Sequence, residues 1–98
     1  MYINNLMIHI KDRNPQDILR VRRLLLSMKG HIDVLQNIRV ETNIRESASA
    51  CDLLLITSFA DEAAFHIYID HPLHQNVSAE MAPMVERVTS LAYRTEDA

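Results

Sequence analysis

Hydrophobic positions along the chain switch between two periods, and the switches outline its elements. From Tyr2 to Lys11 the pattern alternates, with Leu6, Ile8 and Ile10 on one side and Asn5, Met7 and His9 on the other, as in a strand. Asp12 to Asn14 turn the chain. Ile18, Val21, Leu25 and Met28 then recur at helical spacing, widened by Leu24. Asn14 can accept from the free N–H groups of that helix, Pro15 suits its first position, and Asp17 suits the positive end of its dipole. Gly30 offers a left-handed cap. Arg20, Arg22, Arg23 and Lys29 take the remaining surface and read as a solvated face rather than an anion site.

Alternation returns from Val34 to Thr42, where Ile38 and Val40 oppose Arg39 and Glu41, the pattern of an outer strand. Residues 43 to 50 are polar, small and irregular, a loop. Asp52 to Phe59 is the most apolar strand, with Leu53, Leu55 and Phe59 on one side and Leu54 and Ile56 on the other, so both faces need cover. After Asp61 and Glu62, a helical stripe is expected from Ala64, Ile67 and Tyr68, with Phe65 and Ile69 beside it. Pro72 disfavours helix at the residue before it yet suits the first turn of a new one, so the helix should break near His71. The second segment is expected to run to about Glu86 through Val77, Met81, Met84 and Val85, and Pro83 should end or kink it. Arg87 to Arg94 reads as the last strand and Thr95 to Ala98 as a polar tail.

This order predicts one α+β domain over residues 1–98 with a ferredoxin-like split βαβ fold (β-α-β-β-α-α-β). Such a fold is a four-stranded antiparallel sheet with helices on one face. The chain has no further element to cover the other face, and the two-sided apolarity of residues 53–59 asks for cover. The expected answer is a second copy: a homodimer, sheet against sheet.

Composition narrows the function. Formal net charge is -3, which gives no broad attraction to phosphate backbones, so no nucleic-acid partner is expected. The longest apolar run, Leu53–Ile56, is far short of the roughly 20 residues that span a bilayer, so no membrane association is expected. The N-terminus lacks the basic and apolar regions of a signal peptide. Cys51 is alone, which rules out an internal disulfide and fits a reducing compartment, so a cytoplasmic location is expected. A single glycine leaves no glycine-rich phosphate loop, and no cofactor is expected.

Candidate chemistry concentrates in Phe65–Val77, which holds three of the five histidines, a tyrosine and Pro72. Tyr68 and His74 are candidate catalytic residues: a neutral imidazole can remove a proton and a phenol can donate to a developing oxyanion. Tyr68, His71 and His74 together are candidates for ligand binding. Each also has a structural reading. His71 and His74 can satisfy free backbone groups at the helix break, and Tyr68 can be a core residue with its hydroxyl at the rim. His66 reads as a surface residue. No metal is expected, because His66 and His71 do not share a helix face and Cys51 is isolated.

The run Tyr68-Ile69-Asp70-His71-Pro72-Leu73-His74-Gln75-Asn76-Val77 is similar to the Tyr-x-x-His-Pro-x-His-x-x-Val signature of stress-responsive α/β-barrel (Dabb) domains. Asn43, Ala50-x-Asp52 and the strand Asp52–Phe59 fit the same pattern, and the resemblance spans about Ile3 to Tyr93. It implies a ferredoxin-like fold and dimers whose two sheets close into an α/β barrel. Some members are polyketide cyclases in which the signature tyrosine and histidine act as acid and base in an aldol-type ring closure. Carried over, these are Tyr68 and His74. Where the plant cyclase has two further pocket histidines, this chain has Asn4 and Leu53. The resemblance thus leaves two expectations, a binder of a small apolar or aromatic ligand and a cyclase-like lyase. A purely structural unit, by contrast, predicts no cavity beside Tyr68.

Overall fold

A computed structural model of the chain describes residues 1–96. The chain runs β1 (Tyr2–Ile10), α1 (Pro15–Leu26), β2 (Asn37–Thr42), β3 (Leu53–Phe59), α2 (Glu62–Asp70), α3 (Pro72–Met81), a 3-10 turn (Ala82–Met84) and β4 (Val85–Arg94). The strands form one antiparallel sheet in the order β2-β3-β1-β4, the ferredoxin-like arrangement. The end of the expected polar tail, residues 97 and 98, lies outside the described residues.

The alternation of β1 and β3 decides which face meets the helices. Leu6 pairs with Leu55 and Ile8 with Leu53, so these side chains share a face. Ile8, Leu53 and Phe59 are fully buried there against Val21, Leu25 and Met28 of the α1 region and Tyr68, Val77 and Met81 from α2 and α3. Burying each large side chain in such a core contributes about 1.5–3 kcal/mol. On the opposite face, Met7 faces Leu54 and Thr89, Asn5 faces Ile56 and Leu91, and Ile3 faces Tyr93. That face has no element over it: Leu91 is 61% exposed.

Local chemistry places the ends. The Asn14 side chain accepts from the Gln16 N–H at 2.8 Å and opens α1; the Asp61 side chain accepts from the Ala64 N–H at 2.9 Å and opens α2. Regular α1 stops at Leu26, short of the expected cap at Gly30, because the Ser27 hydroxyl takes the Leu24 carbonyl and the turns tighten from there. Gly30 does adopt the left-handed conformation, at φ 79°, within those turns. β2 starts at Asn37 rather than Val34, since residues 31–34 turn and the Leu35 N–H bonds back to Ile32. β4 starts two residues earlier than expected. Pro83 stops α3 in a single 3-10 turn, and the ladder then resumes at Val85 opposite Ile10.

The turn after β1 is clamped to the 43–51 loop. Arg13, in a left-handed conformation at φ 49°, donates to the carbonyls of Ser47 and Ala50 and lies 3.5 Å from Asp52. The second oxygen of Asp52 accepts from the buried Ile10 N–H at 2.8 Å, and the Asn43 amide donates to the Cys51 carbonyl at 2.7 Å. Among the described residues, no helix is long and apolar enough to cross a membrane.

Candidate functional site

The break at Pro72 builds the site. Because Pro72 lacks an N–H and the chain leaves helical geometry at His71, the carbonyls of the last α2 turn lose their usual partners. His71 resolves both ends: its N–H donates to the Tyr68 carbonyl at 3.2 Å, and its Nδ1 accepts from the Leu73 N–H at 3.0 Å, capping α3. The Ile69 carbonyl is taken by two side chains from the new helix, His74 Nδ1 at 3.0 Å and Gln75 Nε2 at 2.9 Å.

That bond fixes the chemistry of His74. Donating from Nδ1 to a carbonyl makes the neutral ring the Nδ1–H tautomer and leaves the Nε2 lone pair free. Burial lowers the His74 pKa below its ordinary 6.5, with the Ile69 bond opposing and the nearby His71 adding to the fall. The ring is therefore neutral at pH 7. Its centroid is 4.6 Å from that of Tyr68, which is 2% exposed and also packs on Phe59 at 5.0 Å. Burial pushes the Tyr68 phenol up from 10.0 to about 12, so it is a proton donor and not a phenolate. Among the described residues, neither the Tyr68 hydroxyl nor His74 Nε2 has a hydrogen-bond partner, and neither is sealed inside the protein.

Both residues line a partly open cavity of about 270 Å³ between the helices and the β1–β4 side of the sheet. Its apolar wall includes Leu6, Leu55, Leu25, Met28, Phe65 and Met81; its other polar groups are Asn4, Ser78 and Ser90. Among the described residues, no Asp, Glu, Lys or Arg lines it. An ion entering such a space would lose its hydration with no opposite charge to replace it. A neutral molecule with one carbonyl or hydroxyl meets a donor and an acceptor side by side.

The structure thus brings Tyr68 and His74 together, while His71 stands at the corner as a cap and is not among the lining residues. Asn4 lines the cavity; Leu53 is fully buried in the core and does not. His66 lies on the surface, 3.4 Å from Glu62. Ile67, expected on the inner stripe, is 56% exposed, because Ala64, Phe65, Tyr68 and Ile69 occupy the inward side of α2 and Ile67 points away. Ser78 and Ser90 also line the cavity, and neither lies in a sequence pattern that marks it as a site residue. Ser78 follows His74 by one helical turn, a spacing that places both on one face; Ser90 is fixed only by its pairing with Leu6. Among the described residues, no three His, Cys, Asp or Glu are grouped to hold a metal ion.

Comparison with known proteins adds the family and the fold. The sequence model of the family described as the stress responsive A/B barrel domain matches residues 5–94. A dimeric ferredoxin-like protein of unknown function from Thermobifida fusca superposes with a TM-score of 0.84 at 21% identity, covering 96% of this chain and 90% of that one. An Arabidopsis thaliana protein gives 0.84 at 15% identity, covering 100% and 98%. The hydroxynitrile lyase of Passiflora edulis gives 0.83 at 13% identity, covering 99% and 94%. Among curated protein sequences none matches.

Proposed function

The chain belongs to the stress-responsive A/B barrel domain family, and from that premise we propose that it is a homodimeric binder of a small, uncharged, largely apolar molecule. Each subunit holds the molecule in the cavity beside Tyr68 and His74. The observation that carries this reading is a cavity lined, among the described residues, by no charged side chain and by Tyr68 and His74, whose hydroxyl and Nε2 have no partner among those residues. The dimer is supported by the apolar sheet face, with Met7, Leu91 and Tyr93 exposed, and by dimeric neighbours on the same fold.

A second reading is favoured by the tautomer lock on His74. A neutral imidazole with a free Nε2 can take a proton from a carbon next to a carbonyl, while Tyr68 donates to the oxygen that gains charge. Transfer of that proton to His74 Nε2 leaves an enolate. Attack of its carbon on a second carbonyl closes a ring and turns that carbonyl into an alkoxide, and the imidazolium returns the proton to give the hydroxyl, as in a polyketide-cyclase-like lyase. The lyase from Passiflora edulis has a similar fold, so the fold is compatible with lyase chemistry.

Acetophenone, a neutral aromatic ketone, tests both readings. With carbon-13 methyl labels on methionine, it is expected to shift Met28 and Met81, which line the cavity, and to leave Met7 in place. No shift at Met28 and Met81 up to the solubility limit removes the binding reading. In heavy water, faster exchange of the ketone's methyl protons that disappears in His74→Gln supports the enzyme; exchange no faster than in buffer removes it.

A further inference from the structure

Strand β4 is a wall with two rooms. Ser90 lines the cavity on the helix side, and it also borders a groove on the opposite face formed with Asn5, Met7, Leu54, Leu91 and Tyr93. A strand is one residue thick and its side chains alternate, so the residues flanking Ser90 in sequence, Thr89 and Leu91, stand on the groove side. Ser90 therefore stands between the two spaces, next to Leu91 in the chain.

In a lone subunit that wall is held along one edge by its ladder with β1, and little packs on its faces. From Glu86 to Arg94 every residue is exposed, and the strand's principal packing partner is β1. Its outer edge is unpaired in the sheet. The Arg94–Glu62 ion pair, 3.0 Å long, ties its far end to α2, but both side chains are exposed and the tie is weak. An edge strand with few buried contacts belongs to the least stable part of a fold. Val88, on the cavity side of the same strand, is 50% exposed.

We infer that the cavity is complete only in the dimer: a second copy packed on the apolar face holds β4 in place, so that ligand binding and subunit association strengthen each other. The inference rests on the dimeric binding reading above. The second copy is the occupant because the groove is apolar, lies on the uncovered sheet face, and belongs to a fold whose neighbours are dimers. The coupling is reciprocal by thermodynamic necessity: each bound ligand tightens the dimer by the factor by which dimerisation tightens that ligand, and with one site per subunit the two factors multiply.

Leu91→Asp puts a charge on the apolar sheet face at a residue that is not itself part of the cavity lining. Acetophenone affinity is read from the Met28 and Met81 methyl shifts, and association state from sedimentation. The expected result is a single-subunit variant that binds acetophenone on the order of tenfold more weakly than the wild-type dimer. Saturating acetophenone, with both sites filled, should lower the wild-type dimer dissociation constant on the order of a hundredfold. Should Leu91→Asp fail to fold, wild-type protein diluted through its dimer dissociation constant supplies the single subunit. Equal affinity in both states overturns the coupling alone. A wild-type dimer that does not bind acetophenone overturns the cavity reading, and a wild type that sediments as a single subunit at all concentrations overturns the assembly reading; either removes the coupling with it.

Discussion

Replacing Tyr68 by phenylalanine separates the ring of this residue from its hydroxyl. The ring is packed, 2% exposed, with Phe59 at 5.0 Å, Phe65 at 6.2 Å and His74 at 4.6 Å between centroids, and all of that contact survives the change. The hydroxyl has no partner among the described residues. A hydroxyl that serves folding contributes about 0.5–1.5 kcal/mol through its bond. This one makes no such bond, so Tyr68→Phe is expected to move the unfolding free energy by less than about 0.5 kcal/mol. A carbonyl ligand that accepts from it should lose about 0.5–1.5 kcal/mol, a two- to tenfold weakening. Two measurements decide: the urea midpoint at unchanged slope, and titration of the Met28 and Met81 methyls with acetophenone against ethylbenzene, which has no oxygen. Only the ketone should weaken. A stability loss above about 2 kcal/mol would mean that the hydroxyl is bonded within the fold. Equal weakening of both ligands would mean that the ring, not the oxygen, had been disturbed.

Two further outcomes follow from groups on either side of the core. His74 is held below its ordinary 6.5 when folded, so below pH 6.5 the unfolded chain takes up a proton that the native chain resists. Stability from this residue is full above 6.5 and falls as pH drops toward the folded value; in His74→Gln, urea midpoints should lose that part of the pH slope, and an unchanged slope would show that another group carries it. Asp52→Ala removes the acceptor of the buried Ile10 N–H and the partner of Arg13, and should destabilise by about 1–3 kcal/mol. Asp52→Asn, which keeps an acceptor, should lose less, and parity between the two would show that the charge rather than the backbone bond matters.

Most of the architecture could be read from residue spacing, because the local signals agree with one another. Asn14-Pro15, Asp61 and His71-Pro72 each combine a side-chain acceptor or a missing N–H with the start of an apolar stripe, and each proved to be a helix start. The boundaries that moved lie where hydrogen bonds override apolar spacing: the local Ser27–Leu24 bond ending α1 early, and the cross-strand pairing of Val85 with Ile10. At the site, Tyr68 and His74 were legible because the break at Pro72 forces them toward one space. Ser90 was not, since its place depends on a pairing register with β1 that no local pattern encodes. Ile67 went the other way: its apolarity matched the stripe, but its angular position on α2 did not.

The corner at His71 has a consequence for anyone who would redesign this pocket. One residue closes α2 and opens α3, so the joint has no slack. Wall positions such as Ser78 can be exchanged to resize the space. A single residue spliced in after His71, however, would rotate everything downstream by about 100° about the axis of α3, swinging the imidazole off the tyrosine and cutting its tether to Ile69. Insertions are better directed to the 43–51 loop, whose tethers through Arg13 and Asn43 involve no residue of the cavity lining.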